Sequence, residues 1–345
     1  MKAIRYHAYG SPDVLEYVDV GEPVAGDGEV LVRVRAAAVN PLDWHLMRGT
    51  PYVLRAAAGL TRPREAGLGA DAAGVIEAVG PNVTDFRIGD EVFADGTGTF
   101  AELVVLRADG AVFRRPPNLT FEQAAAVPVA GMTALQALRD KGGVQAGHSV
   151  LVNGAAGGVG TFAVQIAKAF GAEVTGVCSA ANADLVRSLG ADHVVDYTRE
   201  DFTDSKQRYD VVLDIAASRS LAEVRRVLAP SGVLVGVGAA NSGRPWIGPL
   251  ARPLAMAALS PVGRQNLVPM LARPRRGDLA VLRAMLEDGQ VVPVIDRMYP
   301  LAEVSEAIRY AERGHARGKV VITVGSPRRV VESHPDEEHA QGVAD

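Results

Sequence analysis

Apolar residues in the first third of the chain occur in short alternating runs, separated by Gly, Pro and Asp residues. Alternation of this kind places one face of each run in a core and the other in solvent, and the frequent turn residues predict many short strands. We therefore expect a compact, barrel-like β domain here. Its predicted strands are 29–36, 71–80, 89–94 and 99–105.

From about Thr120 the pattern changes to helical segments that alternate with apolar strands, at 150–153, 173–178, 193–196, 209–214 and 232–238. This alternation predicts an α/β fold with a doubly wound parallel sheet. β character returns at 295–299, and a helix at 301–314 and a strand at 318–324 follow. We expect this last segment to pack back on the first domain. The predicted domains are 1–123 with 295–325, and 124–294. The tail, 326–345, is polar and predicted to be disordered.

One stretch, 150–168, combines a buried strand, a glycine-rich turn and a helix. Ala155, Gly157 and Gly160 follow the dinucleotide-binding pattern, with Ala155 in the position of the first glycine. Gly157 lets the backbone approach a pyrophosphate, and Gly160 lets the helix pack closely on the strand. The helix N-terminus offers unpaired N–H groups to the phosphates. The predicted cofactor turn comprises Ala155, Ala156, Gly157, Gly158, Val159 and Gly160.

The end of the next strand bears on the choice of cofactor. It finishes in Cys178 and Ser179, and no carboxylate occurs before Asp184. An acid at this point would bind the ribose hydroxyls of NAD, so its absence favours NADPH. Ser179 and Asn182 are the candidate contacts, although both residue types also cap helices. Since no Arg or Lys occurs within 179–186, we expect a modest grip on the 2′-phosphate.

Composition narrows the class of protein. The 345 residues include 22% charged residues, with a net charge of −4, which gives no argument for a nucleic-acid or anionic-membrane partner. The single cysteine excludes an internal disulfide framework and a cysteine-rich zinc lobe. Residues 1–6 do not begin the apolar segment that a secretion signal requires, and the apolar stretch 249–270 is interrupted by Arg and Pro. We expect a cytoplasmic protein without a membrane span.

Several strings resemble the medium-chain dehydrogenase/reductase superfamily, specifically its zinc-independent quinone oxidoreductase-like branch. They are Ala37–Asp43, Gly69–Ile76, Gly96–Glu102, Gly131–Ala134, Gly154–Gly160, Leu189–Tyr197 and His315–Val321. The resemblance implies a GroES-like catalytic domain, a Rossmann domain and a cleft between them for the nicotinamide. We also expect a homodimer.

Matched by motif, the catalytic zinc ligands of the alcohol dehydrogenases fall on Asn40, Ala70 and Val129. None supplies a thiolate or imidazole, and the carboxylates Asp43 and Asp71 alone make a poor zinc site. We therefore expect no catalytic metal. A metal-free site suits hydride delivery from NADPH to quinones or α,β-unsaturated carbonyls, because these acceptors spread the incoming charge over their own π-systems.

The resemblance also implies individual site residues, each with a structural alternative. Asn40 would offer its amide to the acceptor carbonyl, or form a turn before Pro41. Tyr52 would line the cleft, or be a half-buried surface tyrosine. The implied cofactor contacts are Thr133 near the nicotinamide (or at a helix start), Tyr197 near the 2′-phosphate (or a strand-end aromatic), Val237, and Lys319 at a phosphate (or a solvated surface lysine).

Other functions remain open at this point. The same scaffold serves enoyl-thioester reductases, and a non-catalytic NADPH-binding protein is a third possibility. The segment 243–276, which carries Trp246, Met256 and Met270, is predicted to roof the cleft for a lipophilic acceptor, to enlarge a dimer surface, or to pack in the core.

Overall fold

A computed structural model of the chain describes residues 1–237, 248–260 and 264–325. The predicted disordered tail, 326–345, and Trp246 lie outside these residues.

The described strands, in chain order, are β1 (Lys2–Arg5), β2 (Glu16–Asp19), β3 (Glu29–Ala38), β4 (Asp71–Val79), β5 (Glu91–Asp95), β6 (Leu103–Arg107), β7 (Val112–Arg114), β8 (Ser149–Asn153), β9 (Glu173–Cys178), β10 (His193–Asp196), β11 (Tyr209–Asp214), β12 (Leu228–Gly236), β13 (Asn266–Pro269), β14 (Ile295–Pro300) and β15 (Lys319–Thr323).

The described α-helices are α1 (Pro41–Arg48), α2 (Arg55–Ala58), α3 (Phe121–Ala125), α4 (Pro128–Leu135), α5 (Gly158–Ala169), α6 (Ala183–Ser188), α7 (Leu221–Arg226), α8 (Gly248–Leu259), α9 (Arg276–Glu287) and α10 (Val304–Glu312). A π-helical turn over Gln136–Lys141 continues α4, and 3₁₀ turns occur at Pro12–Val14, Tyr52–Leu54, Ala180–Asn182, Phe202–Asp204 and Leu301–Glu303.

The first sheet unites both ends of the chain. Its strand order is β14-β15-β3-β4-β5-β7, with β6 also pairing β3. All pairs are antiparallel except β14 with β15. β15 pairs with the last three residues of β3, so the C-terminal segment joins the N-terminal sheet, as the sequence pattern predicted.

Most of the predicted strands in this sheet are confirmed, but the one expected at 99–105 begins later, at Leu103. The residues before it form a loop over Gly69, whose carbonyl accepts the N–H groups of Gly98 and Thr99. Gly69 has φ +101°, in the left-handed region that favours glycine. Space is also limited at this position, because a Cβ on Gly69 would lie 2.5 Å from Thr99 Oγ1. Both constraints favour the glycine that begins the family-like string Gly69–Ile76.

The second sheet is parallel throughout, with the order β10-β9-β8-β11-β12-β13. Numbered from β8, this order is 3-2-1-4-5-6, the Rossmann arrangement. The strand order reverses between β8 and β11, so the carboxyl ends of these two strands open the crevice where such sheets bind dinucleotides. The fold is therefore the predicted α/β fold with a doubly wound parallel sheet.

The two sheets meet beside the glycine-rich turn. Gly157 and Gly318 form an isolated parallel bridge between the start of α5 and the start of β15. About two turns further along α5, the Gln165 amide donates to Val292 O (3.0 Å) and accepts from Val292 N (2.8 Å). The segment that leads back to the first sheet is thus fixed against the cofactor-turn helix.

No helix in the described ranges is long and apolar enough to cross a membrane.

Candidate active site

The glycine-rich turn connects β8 to α5 at the crevice. Ala155 is fully buried, and Gly154 has φ +96°. A Cβ on Gly160 would lie 2.1 Å from Gly154 O, so helix and strand are as close as the fingerprint requires. A Cβ on Gly157 would meet nothing nearer than Gly154 O at 3.5 Å. The space over Gly157, beside the free N–H groups of the helix start, is a cradle that a pyrophosphate fits.

The end of β9 carries the predicted adenosine contacts. Asn182 Nδ2 donates to Ser179 Oγ over 3.3 Å, and neither side chain makes a helix-capping hydrogen bond. Both residues nevertheless occupy N-cap positions, Ser179 before the 3₁₀ turn Ala180–Asn182 and Asn182 before α6. Tyr197, at the end of the neighbouring strand, is 49% exposed, and its N–H donates to Cys178 O. An unpredicted carboxylate also lies here: Asp196 Oδ1 accepts from Ala180 N at 3.0 Å.

A buried polar cluster lies where the first sheet faces α5. The Lys319 ammonium donates to Asn40 Oδ1 (2.6 Å) and Asp71 Oδ2 (2.9 Å), and Lys319 is 3% exposed. The alternative of a solvated surface lysine is wrong. Its stem passes the cofactor turn, since a Cβ on Gly158 would lie 3.2 Å from Lys319 Cδ. An ammonium has three hydrogens, and the third has no acceptor within the described part of the chain.

Asn40 is held entirely by protein groups. Both hydrogens of its amide are used, by Ala38 O at 3.2 Å and by Asp71 Oδ2 at 2.9 Å, and its oxygen accepts from Lys319. The residue is 2% exposed. The amide therefore has no hydrogen free to donate to an acceptor carbonyl, although such a donation is the role predicted for Asn40 from the sequence. Its contacts instead orient the ammonium of Lys319. The alternative of a turn before Pro41 is partly apt, because Asn40 precedes α1 at the N-cap position.

Two further carboxyl groups adjoin this cluster. Asp43 is 1% exposed, and its Oδ2 accepts from Asn40 N at 2.7 Å. Asp95, at the end of β5, is directly opposite Asp71 in the β4–β5 register and is partly exposed. Burial, aided by the charge of Asp71, raises the pKa of both Asp43 and Asp95 to about 7. The cluster therefore holds more carboxyl groups than its one cation balances.

Two predicted residues have clear structural contacts. The Arg55 guanidinium lies 4.5 Å from the centre of the Tyr52 ring and 4.4 Å from that of Tyr9. This stacking fixes Tyr52 at the edge of the α1–α2 connection. Thr133 lies within α4, where its hydroxyl donates to Val129 O at 2.6 Å. The alternative of Thr133 starting a helix is wrong, because α4 begins at Pro128.

A second polar group, which the sequence did not indicate, lies at the carboxyl ends of β8 and β11. Asp214 accepts from Asn153 Nδ2 at 2.7 Å and from Ala217 N at 3.1 Å, and it pairs with Arg252 of α8. Asp214 O also accepts from the predicted cofactor contact Val237, through its backbone N–H. Arg252 belongs to the segment predicted to roof the cleft, and it ties α8 to the crevice edge.

The same helix also packs in the core. Met256 is 1% exposed, and a Cβ on Gly236 would lie 2.7 Å from its sulfur. Met270, after β13, packs partly buried against the main core. Core packing therefore accounts for both methionines.

Comparison with known proteins identifies the family. The family model "Alcohol dehydrogenase GroES-like domain" matches residues 26–117, and "Zinc-binding dehydrogenase" matches residues 189–322. Human quinone oxidoreductase is 34% identical over 333 residues, covering 93% of this chain and 97% of its own. The chain belongs to the medium-chain dehydrogenase/reductase superfamily, in its quinone oxidoreductase-like branch.

Two further relatives agree with this assignment. The 2-methylene-furan-3-one reductase of Solanum lycopersicum is 36% identical over 337 residues, covering 93% of this chain and 79% of its own. The structure of the quinone oxidoreductase from Coxiella burnetii superposes with a TM-score of 0.79 at 28% identity, covering 94% and 99% of the two chains. The protein is thus an oxidoreductase of this superfamily, which uses a nicotinamide cofactor.

Zinc, which part of the superfamily binds, does not fit the residues present. The three ligand positions do converge, since Asn40 Nδ2 and Val129 N both donate to Asp71, next to Ala70. However, they offer an amide, a methyl and an isopropyl group instead of thiolates and imidazole. The buried Lys319 ammonium already occupies the amide oxygen and the carboxylate, and its positive charge opposes a cation. The described residues contain no group of three or more His, Cys, Asp or Glu able to hold a metal.

Proposed function

We propose that this protein is a zinc-independent, NADPH-dependent reductase of quinones or α,β-unsaturated carbonyls. The observation that carries the proposal is the contact between the cofactor turn and the polar cluster: Gly157 bridges Gly318, and the next residue, Lys319, reaches Asn40 and Asp71. A dinucleotide on the turn then extends its nicotinamide towards a site without metal ligands. The activities for which the human and tomato relatives are named, quinone and 2-methylene-furan-3-one reduction, support the same reaction class.

The turn and Lys319 would hold the cofactor. Backbone N–H groups at the start of α5 face the pyrophosphate, and the third N–H of Lys319 is available to a phosphate or ribose oxygen. The remaining proposed contacts are Ala155, Ala156, Gly158, Val159, Gly160, Thr133, Ser179, Asn182, Tyr197 and Val237. When bound, the reduced nicotinamide supplies a hydride, and this chain's residues orient the acceptor beside it and exclude water.

A conjugated acceptor suits this site because no strong Lewis acid is required. Alcohol oxidation needs a group to stabilise a developing alkoxide, which zinc provides in the metal-dependent relatives. Quinones and enones delocalise the charge that a hydride brings. Asn40 and Asp71 hold the Lys319 ammonium rigidly, so its positive charge stabilises the developing negative charge without reorganisation. We assign Asn40 a positioning role through Lys319, and Tyr52 a place in the cleft wall.

The proposal includes three finer assignments. The chain forms two domains, 1–123 with 295–325 and 124–294; NADPH is the preferred cofactor; and the protein is a cytoplasmic homodimer.

The deciding experiment is a screen of NADPH oxidation against simple quinones, enones, enoyl thioesters and, in the reverse direction with NADP⁺, alcohols. Steady turnover with quinones or enones is expected. A strong preference for enoyl thioesters would assign the protein to a biosynthetic reductase, and NADPH binding without turnover would refute an enzymatic role.

A further inference from the structure

The carboxyl group of Asp95 has no evident structural purpose. It ends β5, remains partly exposed, and has no hydrogen-bond or ion-pair partner among the described residues. Directly across the sheet it faces Asp71, and opposed residues of antiparallel strands have their Cβ atoms about 5 Å apart. Two carboxylates at that spacing repel each other and destabilise the fold. A structural role alone therefore does not explain a carboxyl group at position 95.

The other two carboxyl groups of the cluster, those of Asp71 and Asp43, are hydrogen-bonded within the protein. Asp71 accepts from Val129 N at its Oδ1 and from Asn40 and Lys319 at its Oδ2. Across the cluster, Asp43 of α1 is bound to the backbone of Asn40 and is almost completely buried. Asp95 is therefore the one carboxyl of the cluster that is both unbonded and accessible.

Two deeply buried groups near Asp95 lack partners of their own. Lys319 is 3% exposed, and one of its ammonium hydrogens has no acceptor among the described residues. The loop that follows Asp95 carries Thr99, which is fully buried, and its Oγ1 has no hydrogen-bond partner there, beside Gly69 at the entry to β4. Each of these groups can still form a hydrogen bond with a bound molecule, an ion or a water.

We propose that Asp95 is the proton donor of the reduction. The assignment rests on the proposed function and adds the proton that hydride transfer alone leaves unexplained. The β-carbon of an enone receives the hydride with its electron pair, and the π-electrons of the C=C bond shift to give an enolate. The O–H bond of Asp95 then breaks, its proton bonds to the enolate α-carbon or oxygen, and a carboxylate remains.

The reaction balances with one proton from solvent. The exposed side of the Asp95 carboxylate takes up that proton before the next turnover, so the sum is enone, reduced cofactor and one proton giving saturated ketone and oxidised cofactor. Asp95 can keep its proton near neutral pH because burial and the charge of Asp71 oppose ionisation. The charged groups facing it are Asp71 on β4, Asp43 on α1 and Lys319 on β15.

The test compares Asp95→Asn with Asp109→Asn, a control at an exposed carboxylate that pairs with Arg107. Asparagine keeps the shape of Asp95 and removes the opposed charge, so the fold should be unharmed. We expect kcat with an enone to fall about a hundredfold in Asp95→Asn, the lower range for losing a general acid. NADPH affinity, from fluorescence titration, should change by less than about threefold.

Two pH measurements separate this role from a structural one. In the wild-type protein kcat/KM should decline above about pH 7, and in Asp95→Asn this decline should vanish. Independently of turnover, infrared difference spectra of the unliganded protein should show protonated carboxyl absorption that titrates near pH 7, and Asp95→Asn should lose the contribution of Asp95 while that of Asp43 remains.

The outcomes distinguish the two proposals. If wild type reduces no quinone or enone, the proposed function fails, whatever the infrared titration shows. If wild type turns over and Asp95→Asn keeps kcat within threefold, only the proton-donor assignment fails. A remaining decline near pH 7 in the variant would assign the titration to Asp43 and also overturn it. Partial recovery in Asp95→Glu, with the pH dependence restored, supports it.

Discussion

The cofactor turn can be tested sharply, because one of its glycines, Gly157, has open space beside its Cα and another, Gly160, is in close contact with the backbone. A methyl added at Gly157 meets no protein atom within 3.4 Å, and φ −82° with ψ 177° is ordinary for an alanine. A methyl added at Gly160 would lie 2.1 Å from Gly154 O and 2.8 Å from the Ala155 backbone. The same chemical change should therefore affect binding at one position and folding at the other.

The expected magnitudes follow from these contacts. Gly157→Ala should be neutral or stabilising by up to about 1 kcal/mol, because the variant chain loses freedom only when unfolded. Its methyl projects into the pyrophosphate cradle, so NADPH affinity should fall at least about tenfold, equivalent to about 1.4 kcal/mol. Gly157→Val should abolish binding. Gly160→Ala must push the helix from the strand, which should cost about 1–3 kcal/mol of stability or more.

Urea unfolding gives the stabilities, and quenching or enhancement of NADPH fluorescence gives the dissociation constants. If Gly157→Ala binds NADPH within twofold of wild type, the turn does not cradle the pyrophosphate and the fingerprint assignment is wrong. If Gly160→Ala is as stable as wild type, the close contact with Gly154 is not a constraint of the folded chain.

The remaining predictions concern cofactor, metal and pH. Ser179→Asp should reverse a preference for NADPH over NADH, because a carboxylate repels the 2′-phosphate; titrations showing wild type to favour NADH would contradict the premise. Activity should survive exhaustive chelation, with zinc substoichiometric by elemental analysis; loss of turnover restored by zinc would refute metal independence. Because burial raises the Asp43 pKa to about 7, its proton stabilises the fold at low pH. Asp95 has a similarly raised pKa, so the two groups together should lower the free energy of unfolding by about 2.7 kcal/mol per unit as pH rises from about 4 to about 7. Asp43→Asn should remove about half of that slope, and an unchanged slope in denaturant titrations would count against it.

Local patterns predicted the parallel sheet well. The strands β9, β10 and β11 coincide with their predicted residues. β9 and β11 are mostly buried, as strands of a parallel sheet covered on both faces are, whereas β10 lies at the edge of the sheet and is only partly buried. Strand β13 was missed, since its four residues, Asn266–Pro269, carry no clear period.

The site was only partly predictable. Asn40 and Lys319 were both selected by resemblance, but the hydrogen bond between them joins residues 279 positions apart, and no local period encodes that contact. The Asp71–Asp95 opposition depends on strand register, and Arg252 reaches Asp214 only through the placement of α8. These pairings are set by tertiary packing, so sequence patterns could not reveal that the Asn40 amide is already occupied.

The position of β15 beside β3 also dictates when the molecule can be finished during its synthesis. Ala36–Ala38 pair with Val321–Thr323, and Lys319 must arrive before Asn40 and Asp71 have their cation. A ribosome adding about 5–20 residues per second needs roughly 15–55 s to translate the 279 residues between Asn40 and Lys319. For that time Ala36–Ala38 at the end of β3 lack their partner strand, although Glu29–Arg33 on the same edge already pair with β6, and a cluster of carboxyl groups lacks its counter-ion. During this interval the incomplete first sheet is most open to chaperones and to strand-edge aggregation, and the buried polar cluster can form only after Lys319 has been added.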